Sequence, residues 1–236
     1  MQIKLFTLGG AFGMNSVSPF CFKLELLLKH LDLPHETIVE PDPRKAPKGK
    51  LPFIEINGEV FADSDIIARQ LDDATDGGVF SKLTAEQRAN GLAMTRMAEE
   101  HLYWIMVASR WLDDAWWPNV VDGFFSIAPA PLRPLISTLA RRQVRKTYDL
   151  QGLGRHTQEE QRAFARSDLQ ALQDAVGNKP FLLGASVSYF DFAVTSILVG
   201  IYDNRPKTWL TAIAEDYGEL QRYVQRVQSE VGLFAA

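Results

Sequence analysis

Cysteine is nearly absent from this chain of 236 residues, which contains only Cys21. One cysteine cannot form an intrachain disulfide, so a reducing compartment such as the cytoplasm is expected. The four histidines are widely separated along the chain. Because zinc sites are built from closely spaced cysteine and histidine ligands, the sequence predicts no bound metal.

An excess of positive charge and a long hydrophobic segment are also missing. The chain has 25 Lys and Arg against 29 Asp and Glu, a formal net charge of −4, which argues against general binding to nucleic acid or to an anionic membrane. The longest apolar stretch, residues 192–202, is too short for a membrane span of about 20 residues and predicts a buried helix. Residues 1–10 lack the basic and then apolar pattern of a secretory signal.

The pattern of apolar residues changes along the chain and predicts two domains. The first part predicts a strand, a helix and a strand, an irregular segment rich in Pro and Lys at 41–50, a hairpin over 51–62, and a helix that begins at Asp63-Ser64. The remainder predicts helices. We therefore expect an α/β domain over residues 1–76 and an all-helical domain over 84–236, each large enough to bury a core.

The helical part has its own start and stop signals. Capping boxes at 157–160 and 188–191 each predict the beginning of an amphipathic helix. A long helix is expected from the region of Thr84 until Pro118 and the proline-rich segment 126–134 interrupt it. Residues 75–83 are the expected linker between the two domains.

The segment NSVSPFC, residues 15–21, has serine where a redox protein with two cysteines would carry the first of them. Ser18 is a favoured helix N-cap residue and Pro19 a favoured first helical residue. A hydroxyl donor at a helix N-terminus also favours a bound thiolate over the thiol. A serine can stabilise that thiolate without forming a disulfide with it, so both capping and thiolate contact are predicted roles of Ser18.

Two further motifs predict contacts to a peptide-like ligand. Pro52 enters a strand without a backbone donor, and a cis Leu51–Pro52 bond would turn the main chain of Leu51 outward to pair with a bound peptide. The helix start at Ser64 suits a carboxylate, while Asp63 can hold an ammonium group or simply cap the helix. A thiol peptide with a free amino acid end would satisfy all of these features.

These motifs resemble those of the glutathione-transferase superfamily. S-P-F-C at 18–21, G-K-L-P-F-I at 49–54 and A-D-S at 62–64 are similar to its N-terminal domain. QGLGRH at 151–156 is similar to the branch that contains bacterial transferase-like proteins, failed-axon-connections proteins and metaxins. The resemblance covers nearly the whole chain, and it implies a thioredoxin-like α/β domain followed by an all-helical domain.

The resemblance implies that glutathione is the co-substrate. It assigns Leu51 and Pro52 to the cysteinyl main chain, Asp63 and Ser64 to the γ-glutamyl end, and Lys50, or alternatively Lys48, to the glycyl carboxylate. Ser18 matches the residue that many classes place at the first helix, with Asn15 and Ser16 as alternatives. No tyrosine occurs in residues 3–9, in contrast to classes with an early catalytic tyrosine.

The expected reaction is attack of the glutathione thiolate on an apolar electrophile. One alternative is a non-catalytic interaction module of the same fold, since the resemblance includes metaxins. Another is a thiol-disulfide or deglutathionylating enzyme that uses Cys21, although a cysteine on the apolar helix face is more typical of a small buried residue. The resemblance also implies a homodimer.

The helical half offers candidates for the second substrate. Tyr103, Trp104, Arg110 and Trp111 lie on the first long helix at spacings typical of one face. Such a stripe is either part of the core or, as the resemblance implies, a hydrophobic pocket that faces the first domain. The basic cluster at 141–146 is either a solvated helix face or a site for an anion.

Overall fold

The N-terminal part of the chain forms a four-stranded sheet in the computed structural model, which describes residues 1–126 and 128–235. The strand order is β2-β1-β3-β4, with β1 parallel to β2 and the other neighbours antiparallel. The strands are β1 (Ile3–Thr7), β2 (Glu36–Val39), β3 (Phe53–Ile56) and β4 (Glu59–Ala62).

The register of the sheet brings three separate segments to one end. Phe53 pairs with Phe6 of β1 on one side and with Ala62 of β4 on the other. Because antiparallel partners advance in opposite directions, Pro52 lies opposite the end of β1 and beside Asp63. The helices α1 (Pro19–His30) and α2 (Ser64–Ala74) both begin at this end of the sheet.

The rest of the chain is helical. A π-helical turn, Ala98–Leu102, joins α3 to α4, and 3₁₀ turns lie at Pro43–Lys45 and Leu153–Arg155. The helices are α3 (Ala85–Met97), α4 (Tyr103–Trp111), α5 (Trp117–Phe124), α6 (Arg133–Gln151), α7 (Gln158–Val176), α8 (Tyr189–Tyr202), α9 (Trp209–Ala214) and α10 (Gly218–Val231). An α/β unit followed by an all-helical region is the fold class expected from the sequence.

Helix α8 is the centre of the helical core. Every one of its residues is buried, as expected for the apolar stretch within it. It packs against α1 of the α/β unit and against α10. Among the described residues, no helix is both long and apolar enough to cross a membrane.

One prediction about helix ends was wrong. Pro118 does not interrupt a helix, because the chain already leaves the helical path after Trp111 and turns through residues 113–116. Pro118 then occupies the first turn of α5, where its missing N–H costs no hydrogen bond. The capping boxes at 157–160 and 188–191 both form as predicted.

Candidate functional site

Ser18 stands at the N-terminus of α1, at the end of the sheet where the three segments meet. Its Oγ accepts a hydrogen bond from the N–H of Cys21 at 3.4 Å, so the residue caps the helix as predicted. Among the described residues the Ser18 hydroxyl donates to no acceptor. Its proton is therefore available to a ligand while its oxygen caps the helix.

The two alternatives to Ser18 in the same loop are engaged elsewhere. Ser16 is buried, and its hydroxyl donates to the carbonyl oxygen of Leu8 at 3.2 Å. Asn15 is tied to the C-terminal tail, because its N–H donates to the carbonyl of Ala235 at 2.6 Å. Its side-chain amide donates to the carbonyl of Phe234 at 3.4 Å. Both residues hold the loop, which leaves Ser18 as the best placed donor.

Cys21 lies one turn into α1 and is completely buried. Its Sγ accepts from the N–H of Leu8 at 3.5 Å. Burial raises the pKa of the Cys21 thiol above its usual value. A protonated and inaccessible thiol is a poor nucleophile, so this geometry favours a packing role for Cys21.

The main chain of Leu51 is open to a ligand. The Leu51–Pro52 peptide bond is cis, as expected from the sequence. Neither the N–H nor the carbonyl of Leu51 has a hydrogen-bond partner among the described residues. Lys48 and Lys50 are both exposed on the segment that precedes it. An extended peptide could therefore pair with Leu51 while a nearby lysine meets its carboxylate.

Asp63 and Ser64 form the start of α2. Asp63 has a φ of 90°, a strained conformation for a residue with a side chain, and strain of this kind concentrates at functional sites. Its Oδ1 accepts from the N–H groups of Asp65 at 3.0 Å and Ile66 at 3.4 Å. Ser64 is buried, and its hydroxyl has no partner among the described residues. Ser64 and the helix N-terminus together offer donors for a carboxylate.

A buried charge network lies next to these helix starts, and its residues are not among those predicted from the sequence. The side chain of Lys23 in α1 is fully buried, with its Nζ 2.6 Å from Oε1 of Glu99 and 3.1 Å from Oδ1 of Asp65. Asp65 also pairs with Arg96 at 2.6 Å and accepts from the hydroxyl of Tyr189. The network joins α1, α2, α3, the π-helical turn and α8.

The carboxylates of this network respond differently to their surroundings. Burial alone would raise the pKa of Asp65, but Lys23, Tyr189 and Arg96 together hold it well below its usual range. Burial raises the pKa of Glu99, and Lys23 offsets only part of that shift. Lys23 is thus the buried counter-charge that both carboxylates share, beside the exposed Arg96, whose Nη1 also lies 3.3 Å from Oε2 of Glu99. One signal in the sequence could have revealed it, because Lys23 lies on the apolar face of α1 between Phe20 and Leu27.

Two of the four aromatic and basic candidates of α4 contact the α/β unit. The Tyr103 ring packs edge-on against Phe20 of α1, with 5.1 Å between ring centroids. Burial raises the pKa of Tyr103, so its hydroxyl remains protonated. The guanidinium of Arg110 lies 5.7 Å from the ring centroid of Phe12, in the loop that leads to Ser18. Arg110 is buried and donates to the carbonyl of Gly200.

The other two candidates have their aromatic contacts within the helical region. Trp104 is half-buried, and its aromatic neighbour is Tyr103 at 5.5 Å. Trp111 belongs to an aromatic cluster in which it contacts Trp117, Phe124 and Phe125. This cluster reaches the α/β unit through Phe12, whose ring lies 5.3 Å from that of Phe124. The structure therefore separates the four residues into a pair that contacts the α/β unit, Tyr103 and Arg110, and a pair with aromatic contacts in the helical region, Trp104 and Trp111.

The basic cluster at 141–146 divides into two parts. Arg141 faces inward, where it stacks over Trp117 at 4.7 Å and donates to the carbonyl of Trp111 at 2.8 Å. Arg142, Arg145 and Lys146 are exposed. Among the described residues, no group of three or more His, Cys, Asp or Glu side chains is arranged to hold a metal ion.

Comparison with known protein families gives two matches. A family model described as the glutathione S-transferase N-terminal domain matches residues 19–116. A second model, the glutathione S-transferase C-terminal domain, matches residues 165–227.

Individual relatives are similar over most of the chain. The isoprene-epoxide–glutathione S-transferase of Rhodococcus sp. (strain AD45) is 30% identical over 232 residues, which cover 93% of this chain and 95% of that protein. Failed axon connections of Drosophila melanogaster is 33% identical over 198 residues, or 78% of this chain and 46% of that protein. A glutathione S-transferase of Methylobacterium radiotolerans, solved with glutathione sulfonate, superposes with a TM-score of 0.63 at 15% identity and covers 100% of this chain and 97% of that one.

Proposed function

Because this chain belongs to the glutathione S-transferase family, we propose that it binds glutathione and transfers the glutathione sulfur to an apolar electrophile. The proposal rests on the groups that meet at one end of the sheet. There the open main chain of Leu51, the unpartnered hydroxyl of Ser64 and the donor at Ser18 lie on three segments joined by the register. One peptide with a thiol would use all three.

Each part of glutathione has a matching group in this arrangement. The cysteinyl main chain pairs with Leu51 beside Pro52, and Lys50, or alternatively Lys48, meets the glycyl carboxylate. The γ-glutamyl carboxylate accepts from Ser64 and the N-terminus of α2, while Asp63 holds the ammonium group. The sulfur then lies at the N-terminus of α1, where the Ser18 hydroxyl donates to it.

In the reaction the thiol first loses its proton to solvent. The Ser18 hydroxyl and the positive end of α1 stabilise the thiolate, because both interact more strongly with the charged form. The thiolate forms a carbon–sulfur bond with the electrophile as a leaving group departs or a strained ring opens, and the departing electron pair takes a proton from solvent. Asn15 and Ser16 lack this role because their side chains hold the loop.

The second substrate would lie between the start of α1 and the helix α4. Tyr103 and Arg110, the pair that contacts the α/β unit, support this position, with Trp104 and Trp111 behind them. The Rhodococcus relative is named for an epoxide of isoprene, which supports a small apolar electrophile. Tyr103 would accelerate the opening of an epoxide in particular, because the protonated Tyr103 hydroxyl can donate a hydrogen bond to the ring oxygen as it becomes negatively charged.

The function is tested by titrating bound glutathione in the wild type and in Ser18→Ala. In the wild type, ultraviolet thiolate absorbance is expected to appear well below the free thiol pKa of about 8.5. In Ser18→Ala the apparent pKa should rise by roughly one unit or more, since each unit corresponds to about 1.4 kcal/mol of lost thiolate stabilisation. The rate of addition to a small epoxide at neutral pH should fall about tenfold or more.

Cys21→Ser is the matched control, because it changes a thiol in the same helix without touching the ligand. It should leave the titration and the rate close to those of the wild type. Loss of activity in Cys21→Ser would contradict the proposal in favour of a thiol-disulfide enzyme. Absence of glutathione binding would instead favour a non-catalytic interaction module of this fold.

We also propose that the chain forms a homodimer through α6. An exposed apolar stripe begins just before α6 and continues along its first turns. It consists of Leu132, Leu135, Ile136 and Leu139, of which the three leucines are 49%, 59% and 57% exposed. A stripe of this kind favours burial against a partner. Light scattering should give twice the chain mass of 26.5 kDa. Leu135→Glu with Leu139→Glu should give the single-chain mass, whereas Val39→Glu on β2 should not; a monomeric wild type would contradict the proposal.

A further inference from the structure

A cavity lies within the helical region, apart from every residue assigned to glutathione. Its volume is about 380 Å³, and its walls come from α4, α6, α7 and α9 with the 3₁₀ turn Leu153–Arg155. The polar and aromatic lining includes Arg145, Tyr148, Asp149, Gln158, Gln161 and Trp209. This volume falls in the range of small-molecule sites.

Tyr148 is the strongest indication that this cavity binds something. The residue is 2% exposed, yet its hydroxyl has no hydrogen-bond partner among the described residues. Burial raises the pKa of Tyr148, so the hydroxyl keeps its proton and can donate. Buried polar groups in native proteins almost always have partners, so an acceptor beside this hydroxyl is expected, and the cavity that Tyr148 lines is the space that can hold one.

Arg145 lies one turn before Tyr148 on α6 and lines the same space. It belongs to the basic cluster at 141–146, but unlike Arg141 it forms no ion pair or hydrogen bond with any described residue. A guanidinium and a hydroxyl donor on one wall together suit a carboxylate.

The neighbouring part of the lining is acidic. Asp149 and Asp113 both line the cavity, and the side chain of Asp149 has no hydrogen-bond partner among the described residues. Oδ1 of Asp113 accepts from the N–H of Ala115 at 2.9 Å, which leaves Oδ2 for a ligand. Asp149 lies directly over Gly154 of the QGLGRH segment, where an added Cβ would come within 2.3 Å of its Oδ1. Glycine at 154 therefore leaves room for the Asp149 carboxylate. A cavity lined by two carboxylates and a guanidinium can accommodate a ligand that carries both charges.

Aromatic surface completes the cavity. Trp209 begins α9 and lines the cavity, while the guanidinium of Arg162 lies 4.7 Å from the centroid of its ring. Leu112 of the turn after α4 adds apolar surface nearby. An apolar or aromatic side chain of a ligand could rest there without losing contact to the charged groups.

We propose that this cavity binds a small zwitterion of the amino acid type, distinct from the glutathione site. Its carboxylate pairs with Arg145 and accepts from the hydroxyl of Tyr148. Its ammonium group lies between Asp149 and Asp113. Its side chain contacts Trp209, and the two glutamines satisfy remaining polar atoms.

The test follows the indole N–H signal of Trp209 by NMR, assigned with Trp209→Phe. The probes are L-phenylalanine, phenethylamine, which lacks the carboxylate, and 3-phenylpropionate, which lacks the ammonium group. L-Phenylalanine should give a saturable shift, and each singly charged probe should bind at least about tenfold more weakly, as expected when a charged hydrogen-bond partner is missing.

Variants locate the binding site. Arg145→Ala should weaken L-phenylalanine binding about tenfold or more, and Tyr148→Phe about threefold to tenfold. Arg142→Ala, an exposed arginine of the same helix, is the matched control and should bind like the wild type. Tyr148→Phe keeps the ring and removes only an unpaired hydroxyl, so it should fold at least as stably as the wild type.

Two outcomes would overturn the proposal. One is the absence of a saturable shift with L-phenylalanine up to about 10 mM, since a site with these partners should bind at millimolar concentration or better. The other is a shift that persists unchanged in both Arg145→Ala and Tyr148→Phe, which would locate the ligand elsewhere. Neither outcome depends on glutathione binding, which is measured separately through Ser18→Ala.

Discussion

Lys23→Met is expected to lower the free energy of unfolding by about 3–5 kcal/mol, because it removes the buried cation that lies between Glu99 and Asp65. Glu99 has a side chain only 4% exposed and lies 2.6 Å from the lysine nitrogen. Arg96 remains beside both carboxylates, 2.6 Å from Asp65 and 3.3 Å from Glu99. Asp65 also keeps the hydroxyl of Tyr189 and is the more exposed of the two, so the larger part of the loss should come from Glu99. Urea denaturation followed by circular dichroism measures the effect.

A double variant separates the lost pair from a general packing defect. Lys23→Met with Glu99→Met replaces both charges by apolar side chains of similar length, and such replacements are often neutral. The double variant should therefore be at least about 2 kcal/mol more stable than Lys23→Met alone. Lys29→Met, an exposed lysine of the same helix, is the control and should change stability by less than about 0.5 kcal/mol. Equal stability of the single and double variants would contradict this account.

The same substitution should weaken the site itself. Lys23 lies five residues beyond Ser18 in α1, and its partner Asp65 lies two residues beyond Asp63 in α2. The ion pair therefore holds together the two helix starts on which the proposed glutathione site depends. Lys23→Met should raise the dissociation constant for glutathione more than it changes the thiolate pKa, since Ser18 keeps its position on α1.

The local motifs were predictable because each depends on residues close together in the chain. Ser18 before Pro19 predicted a helix cap, and the predicted cis bond before Pro52 is present. The position of Asp63 relative to Pro52 follows from the predicted hairpin, because its register places the two residues side by side. Local sequence patterns could not predict which side chains of the loop hydrogen-bond to the backbone. Ser16 and Asn15 do so, but their partners, Leu8 and Phe234, lie outside the motif.

The Lys23 network was not predictable by the same means. Lys23 and Glu99 are 76 positions apart, and Lys23 and Asp65 are 42 apart. A lone lysine or glutamate in a helix is usually a solvated residue, so its sequence neighbourhood carries little information about a distant partner. These charges come together because α1 and the π-helical turn both pack against α8, and α2 packs against α1.

Asp191→Ala is the other substitution expected to have a large effect, with a loss of about 3–5 kcal/mol in the free energy of unfolding. Asp191 is completely buried at the start of α8. Its Oδ1 accepts from the N–H of Leu182 at 2.7 Å and from the hydroxyl of Tyr223 at 2.9 Å. Its Oδ2 accepts from both the N–H and the hydroxyl of Ser188, at 2.9 and 2.6 Å. Alanine would leave these buried donors without an acceptor.

A second capping box in the same chain isolates the effect of burial. Thr157 and Glu160 form the same motif at the start of α7, but on the surface, so Thr157→Ala should cost only about 1 kcal/mol. Tyr223→Phe removes one donor and should cost about 1 kcal/mol as well. If Asp191→Ala cost no more than Thr157→Ala, the carboxylate would be an ordinary helix cap. A much larger loss would mean that it joins the loop before α8, α8 and α10 into one cooperative unit.

The contribution of Asp191 to stability should also depend on pH. Burial raises the pKa of Asp191 in the folded protein, so its contribution to the free energy of unfolding should decrease as pH rises through that pKa. Asp191→Asn should lack this pH dependence, which urea denaturation at several pH values measures.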